Sequence, residues 1–189
     1  MQPPETTLAP PGGRGKHSSY DFVDRAPVLA ALAGARRVLD LGCGRGDWSL
    51  ALARVGTPVL AVDRWREGLQ WLRLQAGSLP LHVLEADLGT ALPLPDGTAD
   101  GALLSLVLHH LASSGTAPQL LAQIARVLAP GGVLAIIEFL PVPPPPGPPL
   151  GVRLTPAQVL ALAAGAGFVG GQPQSVADHV GLYLLRKPA

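Results

Sequence analysis

Asparagine is absent from the 189 residues, cysteine and methionine occur once each, and only 4% of the chain is aromatic. The single cysteine, Cys43, excludes an internal disulfide and a cysteine-rich metal site. His17, His82 and His179 are scattered, so no metal site can be built from spacing. Charge is also scarce, at 14% with a net of +1. A nucleic-acid partner needs a basic face to neutralise phosphates, so none is expected. No apolar run is long enough to cross a membrane. The opening residues lack the continuous apolar segment of a secretory signal, and a cytoplasmic location is expected. Missing asparagine and many prolines fit GC-rich coding and heat adaptation equally.

What is present is a globular composition, 48% hydrophobic, in a chain long enough for one full core. Residues 1–16 read as a flexible tail, and 17–189 as a single domain. Tyr20 to Leu32 has helical spacing, with Pro27 as its interruption. Strands are expected at Arg37–Leu41, Thr57–Val62, Leu81–Glu85, Gly101–Leu106 and Val133–Glu138. Helices are expected at Trp48–Arg54, Glu67–Gln75 and Pro118–Leu128, the last stopped by Pro130-Gly131-Gly132. Such strict alternation argues a parallel sheet with helices on both faces. Seven prolines fall within 141–149, a stiff extended connector. Thr155 caps a helix at Pro156–Ala166, and two strands, Phe168–Gln174 and Gly181–Arg186, close the chain.

The stretch from Val38 to Trp48 carries the chemistry. An apolar run ends in Asp40-Leu41, glycines follow at 42, 44 and 46, and an amphipathic segment begins at once. Glycines let the backbone turn sharply and let a ligand lie against bare peptide. Loop amides and the next helix N-terminus favour negative charge. The loop reads as a nucleotide or nucleoside cradle, with Cys43 as its small filler. Asp63 ends the second strand, where a carboxylate can accept a hydrogen bond from each hydroxyl of a diol.

VLDLGCGRG (38–46), VLAVD (59–63), Asp87, LPLPDGTADGALLSLVLHHL (92–111) and ARVLAPGGVLAIIEF (125–139) follow in order. Together they resemble the class I S-adenosylmethionine-dependent methyltransferases, in the small-molecule branch that includes ubiquinone and menaquinone biosynthesis. The resemblance implies a doubly wound seven-stranded α/β sheet, ordered 3-2-1-4-5-7-6 with the last strand antiparallel. It implies S-adenosyl-L-methionine as cofactor, a small-molecule methyl acceptor, and a monomer or homodimer. It places Asp40 by the cationic amino group of the methionine moiety, Gly42, Cys43, Gly44 and Gly46 along the ligand, and Asp63 on the ribose. Arg64 departs from the usual apolar residue but can stack on adenine, with Trp65 an alternative face. Asp87 would accept from the adenine amino group, and Leu88 would cover the ring. Ser105 and the pair His109 and His110 fall where methyl group and acceptor meet, with Glu138 an acceptor-side candidate. Asp96-Gly97 and Asp100 read as structural. Two other readings stay open at this point: a nicotinamide-dependent oxidoreductase, and a non-catalytic nucleoside-binding relative. The glycines run G-x-G-x-G rather than G-x-G-x-x-G, which disfavours the first.

Overall fold

One twisted sheet organises the chain in the computed structural model, which describes residues 18–143 and 147–189. The expected tail at 1–16 and the middle of the proline connector lie outside the described residues. The strands are β1 (Val38–Leu41), β2 (Val59–Asp63), β3 (Leu81–Glu85), β4 (Ala99–Ser105), β5 (Leu128–Phe139), β6 (Val169–Gly170), β7 (Gln174–Ala177) and β8 (Val180–Arg186). The helices are α1 (Ala26–Leu32), α2 (Asp47–Arg54), α3 (Arg66–Ala76), α4 (Leu108–Ser113), α5 (Ala117–Val127) and α6 (Pro156–Gly165).

The sheet order is β3-β2-β1-β4-β5-β8-β6, with β7 also on β8. Strands β1 to β5 pair in parallel, and β8 runs antiparallel to β5. This is the expected order, except that the penultimate strand is split. Gly171 and Pro173 interrupt it, leaving β6 and β7 as separate pieces on β8. β1 is buried along its whole length, as a parallel strand covered on both faces must be. One face packs Leu39, Leu104, Leu121, Ile136 and Tyr183, and the other packs Val38, Leu52, Leu72, Leu103 and Ile137. Strand order reverses between β1 and β4, which opens a crevice at their carboxyl ends.

Four expectations change in detail. The helix expected from Tyr20 begins only at Ala26, because Pro27 is suited to a first turn; Ser19–Asp21 forms a separate 3-10 turn. The residues just after β4, for which the sequence pattern gives no element, form helix α4. Pro130-Gly131-Gly132 does not stop α5, which ends at Val127; the three residues bulge within β5, with Gly131 at φ +76°. The connector ends in a 3-10 turn at Leu150–Val152. α6 begins where expected, with a reciprocal capping box between Thr155 and Gln158. Asp100 is structural as read: its carboxylate accepts from the backbone N–H groups of Arg36 and Arg37 at 3.1 and 3.0 Å. Arg126 on α5 donates to the carbonyls of Leu92 and Leu94 and to Asp96, which pins the turn before β4.

Candidate functional site

The glycine loop leaves β1 at the crevice and enters α2. Gly42, Gly44 and Gly46 all have positive φ, at +75°, +58° and +80°. Their surroundings differ. A side chain on Gly42 would collide with Val107, and one on Gly46 with Leu72, so those two glycines serve close packing. Gly44 faces open space, with no atom within 4 Å of a would-be Cβ. It is therefore the glycine at which backbone is offered outward. Gly68 on α3 supports the loop from behind: a Cβ there would lie 2.8 Å from the Gly44 carbonyl oxygen. Cys43 is half-buried, and burial, with Asp40 and Asp63 nearby, pushes its thiol well above the ordinary range.

Two carboxylates brace this loop. Asp40 is buried and accepts from Ser49 Oγ of α2. Burial pushes its pKa up to about 7, against the Ser49 hydrogen bond, with Asp63 and Asp47 adding repulsion. Asp63 is half-buried, and its two oxygens accept the Gly44 N–H at 2.7 Å and the Trp65 N–H at 2.8 Å. Each oxygen keeps a second lone pair for a ligand hydroxyl. Asp87 is exposed; one oxygen accepts the Gly89 N–H, and the other lies 3.7 Å from Arg64 Nη1. Arg64 and Asp87 thus meet across the rim, a pairing that the sequence pattern did not reveal. Leu88 is buried behind Gly42 rather than exposed on the rim.

Beyond β4 the backbone is strained. Leu106 is the non-glycine residue with positive φ among those described, at +57°. The turn aims the chain into α4. The pair His109 and His110 lies on α4. His109 is buried and its Nδ1 lies 2.8 Å from Glu138 Oε2, while its backbone N–H donates to Glu138 Oε1 at 3.1 Å. Val107 gives α4 no side-chain cap, and the Glu138 carboxylate on β5 takes that place. The His110 ring is exposed and tilted against that of His109, with centroids 4.0 Å apart. Partial burial and the neighbouring His109 hold the His110 pKa below its ordinary value.

Two segments that carry no motif reach the same crevice. The turn at Ser19–Asp21 places Ser19 Oγ on Ser105 Oγ at 2.5 Å and under Trp48 Nε1 at 2.8 Å. Phe22 stacks on Phe139 with centroids 6.1 Å apart. From the connector, Gly147 presses on the Phe139 ring, and Arg153 stacks over it while binding the carbonyls of Pro148 and Leu140. No cluster of potential metal ligands occurs among the described residues.

A doubly wound sheet with an antiparallel closing strand, and a glycine loop tied to an acid at the end of β2, define a Rossmann-like S-adenosylmethionine-dependent methyltransferase fold. Residues 39–136, more than half of the chain, match the methyltransferase domain family, and the chain belongs to that family. S-adenosylmethionine is its cofactor, and the nicotinamide reading falls away. Over 133 residues the chain is 36% identical to a demethylmenaquinone methyltransferase of Thermus thermophilus, covering 65% of this chain and 54% of that protein. The chain spans about half the length of the curated relatives it matches. A methyltransferase structure from Aquifex aeolicus shares the fold at a TM-score of 0.78 and 24% identity, covering 93% of this chain and 94% of that one. Human N-acetylserotonin methyltransferase, solved with S-adenosylmethionine bound, aligns at a TM-score of 0.69 and 27% identity over 88% of this chain and 52% of that one.

Proposed function

We propose that this chain transfers a methyl group from S-adenosylmethionine to a small apolar or aromatic acceptor. The observation that carries this reading is the loop itself: Gly44 faces open space while its amide binds Asp63, beside the point where strand order reverses. Gly42, Cys43, Gly44 and Gly46 would line the cofactor, Asp63 would hold the ribose hydroxyls, and Asp40 the amino group. Arg64 and Asp87 would bound the adenine, and Ser105 the other end. The bound cofactor supplies an electrophilic methyl group on a sulfonium. What the protein then supplies is alignment, the largest part of such a displacement.

The acceptor side is read at the ends of β4 and β5. Glu138 occupies His109 Nδ1, which leaves Nε2 as the free ring nitrogen. His110, with its lowered pKa, is neutral at pH 7 and able to accept a proton. Either nitrogen can take the proton of an acceptor hydroxyl. Phe22, Phe139 and Gly147 pack together at the end of β5 as an apolar wall, which suits an aromatic acceptor better than a sugar. The Thermus relative's name makes demethylmenaquinone the first acceptor to test. A screen with methyl-labelled S-adenosylmethionine, read by mass spectrometry, should find one acceptor gaining a single methyl. A binding-competent protein that methylates no member of a broad panel would favour a non-catalytic nucleoside-binding role.

A further inference from the structure

The turn Ser18–Val23 precedes every recognised motif, yet it is bonded into the crevice from several sides. Ser18 Oγ accepts the Tyr20 N–H, which closes the turn on itself. Asp21 pairs with Arg45 of the glycine loop at 3.2 Å, and Arg45 in turn holds Asp47 at 2.7 Å. The Tyr20 ring meets Trp48 edge-on at 5.0 Å, under the guanidinium of Arg25 at 4.6 Å. Asp24 N–H donates to the Val176 carbonyl on β7. At the centre, Ser19 is only 2% exposed, with its hydroxyl between Trp48 Nε1 and Ser105 Oγ.

The chemistry of these three groups sets a direction. An indole N–H only donates, so Ser19 Oγ accepts from Trp48. Among the described residues, Ser105 Oγ is the acceptor within reach of the Ser19 proton. If Ser105 donated instead, a buried hydroxyl proton would be left without a partner, which is costly. The chain therefore runs from Trp48 to Ser19 to Ser105, and the Ser105 proton remains for an acceptor outside the protein. Ser105 ends β4, on the far side of β1 from Asp63 at the end of β2. A ligand whose ribose lies on Asp63 would extend its amino-acid end across β1 toward Ser105.

We propose that Ser19 is a positioning residue of the cofactor pocket, which orients the Ser105 hydroxyl toward the carboxylate at the amino-acid end of S-adenosylmethionine. The proposal rests on the cofactor reading above. Two probes separate the two claims: S-adenosylhomocysteine, which carries the amino-acid end, and 5′-methylthioadenosine, which lacks it. By calorimetry, Ser19→Ala should weaken S-adenosylhomocysteine about tenfold, the loss of a hydrogen bond to a charged group. It should leave methylthioadenosine binding unchanged, and Ser19→Thr should restore the loss. Trp48→Phe, which removes the indole donor and keeps a ring, should show the same selectivity at smaller size. Should Ser19→Ala fail to fold, Trp48→Phe and Ser105→Ala carry the test. Equal loss on both probes, or none on either, overturns the proposal and leaves Ser19 as packing. If the wild-type protein binds neither probe, the cofactor reading fails and takes the proposal with it.

Discussion

Replacing Asp40 by Asn should stabilise the free protein at neutral pH while weakening its hold on the cofactor. Asp40 is buried, and its pKa of about 7 compares with 3.8 for an ordinary Asp. The folded state therefore binds more protons than the unfolded state between those values. Stability falls as pH rises through that window and levels off above about 7. A shift of about three units is worth roughly 4 kcal/mol. Asn keeps the shape and an oxygen for the Ser49 hydroxyl, and does not ionise. The stability gap between Asp40→Asn and wild type should be small at pH 4 and widen by about 3–4 kcal/mol by pH 8. Urea unfolding at both pH values reads this directly, and titrations common to both proteins cancel. At pH 8 the same change should weaken S-adenosylhomocysteine roughly tenfold to a hundredfold, because the proposed function sets the Asp40 charge against the ligand's amino group and Asn lacks it. A stability gap that is the same at pH 4 and pH 8 would refute the reasoning about Asp40.

Gly44→Val should abolish the rise in melting temperature that S-adenosylhomocysteine gives wild type, since it fills the open space at a positive φ; an undiminished rise would show that the loop is no cradle. His109→Ala should cost roughly 2 kcal/mol in denaturant unfolding, because the buried Glu138 loses its ring partner and keeps only the backbone N–H groups of His109 and Phe139, while the exposed His110→Ala should cost little. Once an acceptor is known, loss of turnover on His110→Ala with unchanged cofactor affinity marks it as the acceptor-side residue; full activity in both single variants and the double variant marks the pair as structural. Arg126→Met should cost about 2 kcal/mol, because the Leu94 carbonyl and Asp96 lose their guanidinium donor and the Leu92 carbonyl keeps only the Leu94 N–H; unchanged thermal stability would make that clasp idle.

The five parallel strands were legible because central strands are written as short continuous apolar runs, and each was placed to within a few residues apart from the bulged start of β5. The glycine loop, Asp40 and Asp63 were legible because loop and acids follow one another in a fixed local pattern. What escaped has a common cause, namely partners distant in sequence. Helix α4 is six residues long and is capped by Glu138, 29 residues away from His109, so no local signal marks its start. Arg64 and Asp87 meet only because β2 and β3 lie side by side. Ser19 bonds to Ser105 across 86 residues, and nothing around it in the sequence distinguishes it from a turn serine.

The central claim is that the loop between β1 and α2, with Asp63, holds S-adenosylmethionine. Calorimetric titration of wild type and Asp63→Ala with S-adenosylhomocysteine tests it most directly. The account predicts one site in wild type and an affinity roughly tenfold to a hundredfold lower in the variant, the loss of a charge-assisted hydrogen bond to the ribose. Wild-type affinity in a folded Asp63→Ala protein, or no binding by the wild type, would contradict it.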